Sequence, residues 1–304
     1  MSRVEWVREA LRQVERARPG PVEETQIRVG LLGRGIGASL TPIMHEQEGK
    51  RLGLDYRYDL IDFDALDLDD SDLGLVLDAV GAAGFRGVNV TFPFKQAIIP
   101  LLDELSASAE AVGAVNTLVF RGRRRHGHNT DCFGFAESMR RGLGAVDMHS
   151  VVQVGAGGAG GAVAQALAEL GVERLAIIDV DERRAGQLAA RVSSATTAAA
   201  TGHGPEALGG LLPNAAGLVN ATPVGMEKLP GIPVDAALLS PDHWVADIIY
   251  FPRETELLRQ AKARGCKVLP GGGMAVFQAV RAFELFSGMR PDSAEMARTF
   301  AAYA

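Results

Sequence analysis

The run Val151-Val-Gln-Val-Gly155-Ala156-Gly157-Gly158-Ala159-Gly160 constrains this chain more than any other stretch. An apolar strand pattern leads into it and an alanine-rich helix pattern leaves it, so the glycines sit at a strand-to-helix junction. The spacing of Gly155, Gly157 and Gly160 is what a dinucleotide's diphosphate requires there. The first glycine permits a tight turn, the second lets backbone approach the phosphates, and the third lets helix and strand pack closely. Amides at the helix start supply positive potential. A chain with 36 glycines can produce such a triplet by chance, so context decides. Asp179 ends the next strand about twenty residues on, where a carboxylate can accept from the ribose hydroxyls of the adenosine and repel a 2′-phosphate. Val180 follows it, where an NADP reader usually offers a cation. Arg183 and Arg184 are close in sequence, with the solvent face of the next helix as their plain alternative. These residue types predict NAD binding rather than NADP binding.

A second stretch, Gly87-Val-Asn-Val-Thr-Phe-Pro-Phe-Lys95, reads as a strand that must stop. Val88 and Val90 alternate with polar neighbours, and Pro93 cannot continue a ladder, so pairing should end near Thr91. Helical spacing of Ile98, Leu101, Leu102 and Leu105 then predicts a helix over 96–104. A strand that ends abruptly and delivers Asn89, Thr91 and Lys95 to one rim is how α/β proteins build sites. Lys95 could equally be a solvated first-turn lysine. Helix stability alone gives it no reason to be there, because a cation near a helix N-terminus opposes the macrodipole.

At 304 residues and 47% hydrophobic, the chain can bury the cores of two domains. Net charge −6 argues against nucleic-acid or anionic-membrane partners, which favour a basic face. The one basic run, 121–126, has four arginines and reads as a solvated hairpin tip. Cys132 and Cys266 are the only cysteines and make neither a disulfide framework nor a metal-ligand spacing, so no metal is expected. Residues 1–18 show a charged amphipathic helix pattern without the apolar core of a signal peptide, and no apolar run reaches membrane-spanning length. A cytoplasmic location is expected.

After a break at Pro19-Gly-Pro21, strand patterns at 27–32, 55–63, 87–91 and 115–120 alternate with helix patterns at 43–52, 71–83 and 96–104. That alternation implies a mainly parallel sheet. Pro42 takes a first helical position, with Thr41 well placed as the cap. The pattern restarts near 129–131, with helices at 133–143, 159–170, 182–192 and 254–264. Strands are expected at 149–154, 175–180, 218–221, 244–249 and 267–269, and an Ala/Thr-rich stretch at 193–201 gives no firm assignment. Two helix patterns, 274–286 and 291–303, close the chain.

Further motifs occur in order from Ile27 to the C-terminus: Ser39-Leu-Thr41-Pro42 with His45, Asn89-Val-Thr91-Phe-Pro93-Phe-Lys95, Gly113-Ala-Val-Asn116-Thr, Asn129-Thr-Asp131, Asn220-Ala-Thr222-Pro-Val-Gly225-Met226, and Gly273-Met274 with Gln278-Ala. In this set, with the glycine loop, the chain resembles the shikimate dehydrogenase family, and specifically its NAD-dependent quinate/shikimate branch. The resemblance implies an α/β fold of two domains. An N-terminal α/β substrate domain (1–129 and 273–304) accompanies a Rossmann dinucleotide-binding domain (130–272), and the C-terminal helices return to the first. It implies a small ring hydroxy acid, quinate or shikimate, as substrate, and allows a homodimer. Lys95 and Asp131 would flank the hydroxyl that is oxidised, and Ser39 and Thr41 would hold the carboxylate. Thr91, Asn116, Gln278 and Tyr250 would be further substrate contacts. The expected dinucleotide contacts are Gly155, Ala156, Gly157, Gly158, Ala159, Gly160, Asp179, Arg184, Thr222, Pro223 and Gly271. Departures from strict shikimate enzymes are Gly35 and Ala38 before the first serine, Thr41 for their second serine, Cys132 for a glycine, and Asp179 for an Asn-Arg-Thr. Thr41 and Asp179 look like the quinate/shikimate branch and count against a dedicated biosynthetic role.

Oxidising a secondary alcohol needs hydride loss and a proton acceptor within hydrogen-bond reach of the hydroxyl. Either a desolvated Lys95 takes the proton, or its ammonium form stabilises the developing alkoxide while the proton leaves by another route. Structural alternatives stand beside the other assignments. Asn116 and Asn129 suit turns, and Tyr250 suits a core position with its hydroxyl at the rim. Gln278 lies among Met274, Phe277 and Ala282, where an amide needs a partner, and His45 is expected to pack and hydrogen-bond within its helix. Rival readings are a dehydrogenase for an aminoshikimate-type acid and a sensor that binds without turnover. The Lys95 and Asp131 pair argues against the sensor.

Overall fold

The computed structural model describes residues 2–16 and 26–304, and the expected break at Pro19-Gly-Pro21 lies outside them. Packing divides the chain into two units. One runs to Thr130 and regains Ala279–Tyr303, and the other is Asp131–Gln278 with Ala304.

The first unit contains, in order, α1 (Arg3–Arg16), β1 (Ile27–Gly33), α2 (Thr41–Arg51), β2 (Tyr56–Asp62), α3 (Leu73–Ala82), β3 (Gly87–Val90), α4 (Phe94–Ala97), β4 (Glu104–Leu105), α5 (Ala107–Val112), β5 (Thr117–Arg121) and β6 (Arg124–His128). Its sheet has the order β2-β1-β3-β5-β6-β4. β1 pairs parallel with β2 and β3, whereas β3–β5 and β5–β6 are antiparallel. The mainly parallel sheet expected from the alternation is therefore mixed. The two-residue link between β5 and β6, with Gly122 at φ +62, leaves no room for a crossover and forces a hairpin. This is the basic tip read from 121–126.

The helix expected over 96–104 is a single turn. Pro100 has no amide to donate and clashes with the preceding turn, so α4 ends at Ala97 and a 3-10 turn follows over Ile99–Leu101. Leu105 then joins β4, paired with β6. α5, absent from the sequence reading, is capped at its start by Ser106, whose Oγ accepts from the Ala109 amide, and at its end by Gly113 at φ +68. One face of the sheet buries Leu32, Ile61, Phe63, Val88 and Phe94 beneath α1 and α3. The other buries Val29, Leu31 and Tyr58 against Phe283 and Phe286. The C-terminal helix α12 (Ser293–Tyr303) packs on α2. The Asp292 amide donates to Glu48 at 2.7 Å, and Thr299 Oγ1 donates to Gln47 at 2.9 Å. The chain's end thus returns to the first unit as the resemblance implied.

The second unit holds α6 (Thr130–Gly142) from its second residue, then β7 (Ser150–Val154), α7 (Gly158–Glu169), β8 (Arg174–Ile178), α8 (Glu182–Ala195), β9 (Ala199–His203), α9 (Leu208–Leu211), β10 (Gly217–Asn220), β11 (Trp244–Asp247), α10 (Glu256–Ala263), β12 (Lys267–Leu269) and the start of α11 (Gly272–Ser287). All its strand pairs are parallel, in the order β12-β11-β10-β7-β8-β9. This is a doubly wound Rossmann sheet whose order reverses between β7 and β10, the point at which such sheets bind ligands beyond their strand ends. The Ala/Thr-rich stretch runs into β9. A Cβ on Gly202 would lie 2.3 Å from the Gly186 amide nitrogen, so α8 and β9 touch backbone to backbone and small residues fill the contact.

Candidate functional site

In the first unit, β3 stops at Val90, one residue short of the end near Thr91 that the strand pattern gave. The Thr91 amide still reaches Leu32 O at 2.9 Å, and Thr91 O accepts the Phe94 amide at 2.9 Å in the turn through the cis Phe92–Pro93 bond. Lys95 is half-buried in the short α4, and its carbonyl accepts the Val115 amide at 2.8 Å. Asn89 is buried beneath, accepting from Tyr58 Oη at 2.8 Å and donating to Thr117 Oγ1 at 2.9 Å. Asn116 is buried too. Its Oδ1 accepts the Thr130 amide at 2.7 Å and its Nδ2 donates to Thr130 Oγ1 at 2.9 Å, which fixes the first residue of α6. Asn129 donates to Ala114 O at 2.9 Å, so both asparagines serve the turns that their residue type favours.

Ser39 Oγ donates to Thr41 Oγ1 at 3.2 Å and accepts the Thr41 amide at 3.3 Å. The expected cap is not formed. α2 begins at Thr41 itself, one residue too early for Thr41 to cap it, and Leu40 in the cap position has no side-chain acceptor to offer. Ser39 also lines a cavity of about 610 Å³ shared with Ile43, Glu46, Tyr58 and Tyr303, whereas Thr41, Thr91, Lys95 and Asn116 do not line it. His45 bonds Tyr56 of β2 through Nδ1 at 3.0 Å rather than a partner in its own helix.

In the second unit, Asp131 is buried in the first turn of α6, where the helix dipole favours a carboxylate. Gly134, one turn further on, would place a Cβ 2.8 Å from the Gln278 amide nitrogen and 2.8 Å from Met274 O. Only glycine lets α11 approach α6 this closely, and the contact sets Gln278 a turn away from Asp131. Gln278 finds its partner in Ala275 O at 3.0 Å. Burial, together with the Asp131 carboxylate, pushes the Tyr250 phenol above its ordinary value.

The glycine loop has the geometry its spacing demands. Gly155 has φ +105, and a Cβ there would lie 2.6 Å from Ala221 O. A Cβ on Gly160 would lie 2.3 Å from Gly155 O, whereas Gly157 has nothing within 4 Å. The crest is open and both ends are closed, which fits a diphosphate approached by backbone. Asp179 Oδ2 accepts the Ala156 amide at 2.7 Å, and Oδ1 accepts the Asp181 amide at 2.9 Å and Arg184 at 2.8 Å. Burial alone would raise this carboxyl, but the two amides and the guanidinium hold it below its ordinary value. Arg184 is thus tied to Asp179 while its side chain stays exposed to solvent. Gly271, beside Ile248 O at 2.3 Å from a notional Cβ, closes the end of the neighbouring strand.

Thr222 and Pro223 follow β10. Thr222 Oγ1 donates to Asn220 Oδ1 at 2.7 Å, and Asn220 Nδ2 donates to Asp247 at 3.1 Å. Asp247 also accepts from Thr255 Oγ1 at 2.8 Å and from the Ile249 amide at 3.0 Å. Burial raises its carboxyl above the ordinary value against these bonds. This network, with Gln153 beneath the loop, was missed from sequence. The available signal was polar residues standing in or ending strands that are otherwise Val and Ala. Among the described residues no His, Cys, Asp and Glu cluster could hold a metal, and no helix is long and apolar enough to cross a membrane.

Residues 31–118 match the model of the shikimate dehydrogenase substrate binding domain. A shikimate dehydrogenase (NADP(+)) of Streptomyces avermitilis is 51% identical over 272 residues, 88% of this chain and 92% of its own. A quinate/shikimate dehydrogenase (NAD(+)) of Corynebacterium glutamicum strain R is 46% identical over 276 residues, 90% of this chain and 98% of its own. The solved quinate dehydrogenase from Corynebacterium glutamicum in complex with NAD superposes with a TM-score of 0.87 at 45% identity, covering 91% of this chain and 99% of that one. With identity of this order over about nine-tenths of both chains, the chain belongs to the shikimate dehydrogenase family.

Proposed function

We propose that this chain is a nicotinamide-dependent dehydrogenase interconverting quinate or shikimate with the 3-dehydro acid, with NAD as its preferred dinucleotide. The observation that carries the reading is a charged Asp179 at the end of β8 beside an open glycine crest, in a chain of this family. Of the roughly four acceptor positions of an ionised carboxylate, three are used within the protein, which leaves capacity for a ribose hydroxyl.

Held at this loop, the nicotinamide would accept the hydride. The chain's own work is then with the acid and its proton. We assign Lys95 and Asp131 to the hydroxyl that is oxidised, with Lys95 as proton acceptor or alkoxide-stabilising donor. Thr41 Oγ1 already accepts from Ser39, so its own proton is available to a substrate carboxylate. Asn116 spends one of its two N–H donors on Thr130, and the other can meet a ring hydroxyl. Thr91, Gln278 and Tyr250 complete the proposed substrate contacts. Arg184, Thr222, Pro223 and Gly271 join the loop as dinucleotide contacts.

Arg184 supports a second reading, in which NADP is used. It partly neutralises Asp179 at 2.8 Å and could receive a 2′-phosphate, and the Streptomyces avermitilis relative is named for NADP. Initial rates of NAD and NADP reduction with quinate and with shikimate separate the two. Turnover with a higher kcat/KM for NAD is expected. A higher value for NADP would transfer the cofactor assignment, and tight binding without turnover would leave only a sensor.

A further inference from the structure

Gln153 stands in β7 between Val152 and Val154 and is fully buried. Its Nε2 donates to Gly155 O at 2.8 Å and to Gly160 O at 2.8 Å, joining the turn at the loop's start to the first turn of α7. Two carbonyls as partners fix the amide's orientation, since exchanging its O and N would bring three oxygens together. The Oε1 atom is buried without a partner among the described residues. An orphaned buried acceptor destabilises the fold; an apolar side chain at this position would remove it, at the cost of the donor that Gly155 O and Gly160 O now share. The same Gly155–Ala156 peptide is held from its other side by Asp179 Oδ2 on the Ala156 amide. Gln153 is therefore costly to the strand and useful to the loop.

We propose that Gln153 is a positioning residue for the dinucleotide: its side-chain amide clamps both ends of residues 155–160, so that the backbone amides at the crest are preorganised for the diphosphate. The inference rests on the dinucleotide part of the functional reading and on none of its ring-acid part. The clamp acts on the loop and not at the ribose end, so it serves NAD and NADP alike.

The test is Gln153→Met, which keeps side-chain length and removes the donors. Calorimetric titration with NAD and with NADP, without any ring acid, is paired with thermal unfolding of the free protein. The expected result is a cooperative thermal transition of the free variant, with both dissociation constants raised at least tenfold and their ratio unchanged. Dissociation constants within twofold of the unaltered chain, or a shift confined to one dinucleotide, overturn the proposal. Gln153→Leu is the second variant if the first does not fold, and failure of both to fold overturns it by assigning the amide to the fold. An unaltered chain that binds neither dinucleotide overturns the clamp and the functional reading together. One that binds a dinucleotide but turns over no ring acid overturns the reading of the reaction alone.

Discussion

Asp179 and Ala156 are hydrogen-bonded at 2.7 Å across 23 residues of chain, the carboxylate accepting the amide in the middle of the glycine turn. The group proposed to read the ribose is thus also a fastening of the loop that would hold the diphosphate. On that proposal, specificity and loop geometry are coupled through one side chain, to which Arg184 is also hydrogen-bonded.

That coupling makes the cofactor preference testable by two substitutions of opposite sign. Asp179→Asn keeps an acceptor oxygen and removes the charge, which leaves Arg184 without its ion pair. The ratio of kcat/KM for NAD over NADP should fall at least tenfold, about 1.4 kcal/mol. Arg184→Ala should raise the same ratio by removing the only partner offered to a 2′-phosphate by this pair. Equal ratios in both variants and the unaltered chain would show that neither residue discriminates.

Lys95→Ala addresses the proton. Positioned acid–base groups contribute ~10²–10⁴ in rate, about 3–5 kcal/mol, so kcat should fall in that range. KM for the ring acid should change much less, because ring and carboxylate contacts are assigned to other residues. Steady-state kinetics with saturating dinucleotide makes the measurement, and near-normal turnover would remove Lys95 from the chemistry.

Two glycines of one loop should respond in opposite ways to a single methyl group. Gly160→Ala drives a Cβ to 2.3 Å from Gly155 O, a clash with backbone that cannot move aside, and the fold should lose stability. Gly157 has φ −74 and nothing within 4 Å, so alanine there should be neutral or stabilise by about 0.4–1 kcal/mol through the unfolded chain. Dinucleotide affinity should nevertheless drop, because the crest is where backbone must approach phosphate. Thermal unfolding and dinucleotide titration of both variants make the comparison. Unimpaired binding by the Gly157 variant would remove the crest from the diphosphate site.

The second unit was legible because its signals are local. Strand, glycine turn, helix and Asp179 follow one another along the chain, and parallel order follows from their alternation. The first unit was less so. Ile98, Leu101, Leu102 and Leu105 have helical spacing, yet Pro100 breaks the path, and Leu105 reaches a strand instead. Periodicity recorded which residues are apolar but not the missing amide. The hairpin at Gly122 mixed the sheet through a two-residue link that alternation alone does not register. Within the site, motif order identified Lys95, Asp131 and the loop as candidates. The side chains that hold such groups, Gln153, Asn220 and Asp247, act through contacts made only in three dimensions. Their single sequence signal was polarity where a strand should be apolar.

His45 shows what a motif residue can do without touching chemistry. It is fully buried, bonded to Tyr56 Oη at 3.0 Å and enclosed by the rings of Tyr58, Phe283 and Phe286. Burial outweighs a backbone contact with Ala279 and pulls the imidazole from its ordinary 6.5 down to about 3. Between those values the unfolded chain takes up a proton that the folded chain refuses. Stability from this group is therefore complete above pH 6.5 and is lost on acidification, at about 1.4 kcal/mol per pH unit through the window. His128, pulled to about 4 by burial and then by Arg121, acts in the same direction. Urea unfolding at pH 7, 6 and 5 should show the decline in the unaltered chain. His45→Leu, which keeps an apolar side chain among those rings, should decline less steeply by about that amount per unit. Parallel declines in the two proteins would assign the acid sensitivity to other groups, and His45 would then be a packing residue alone.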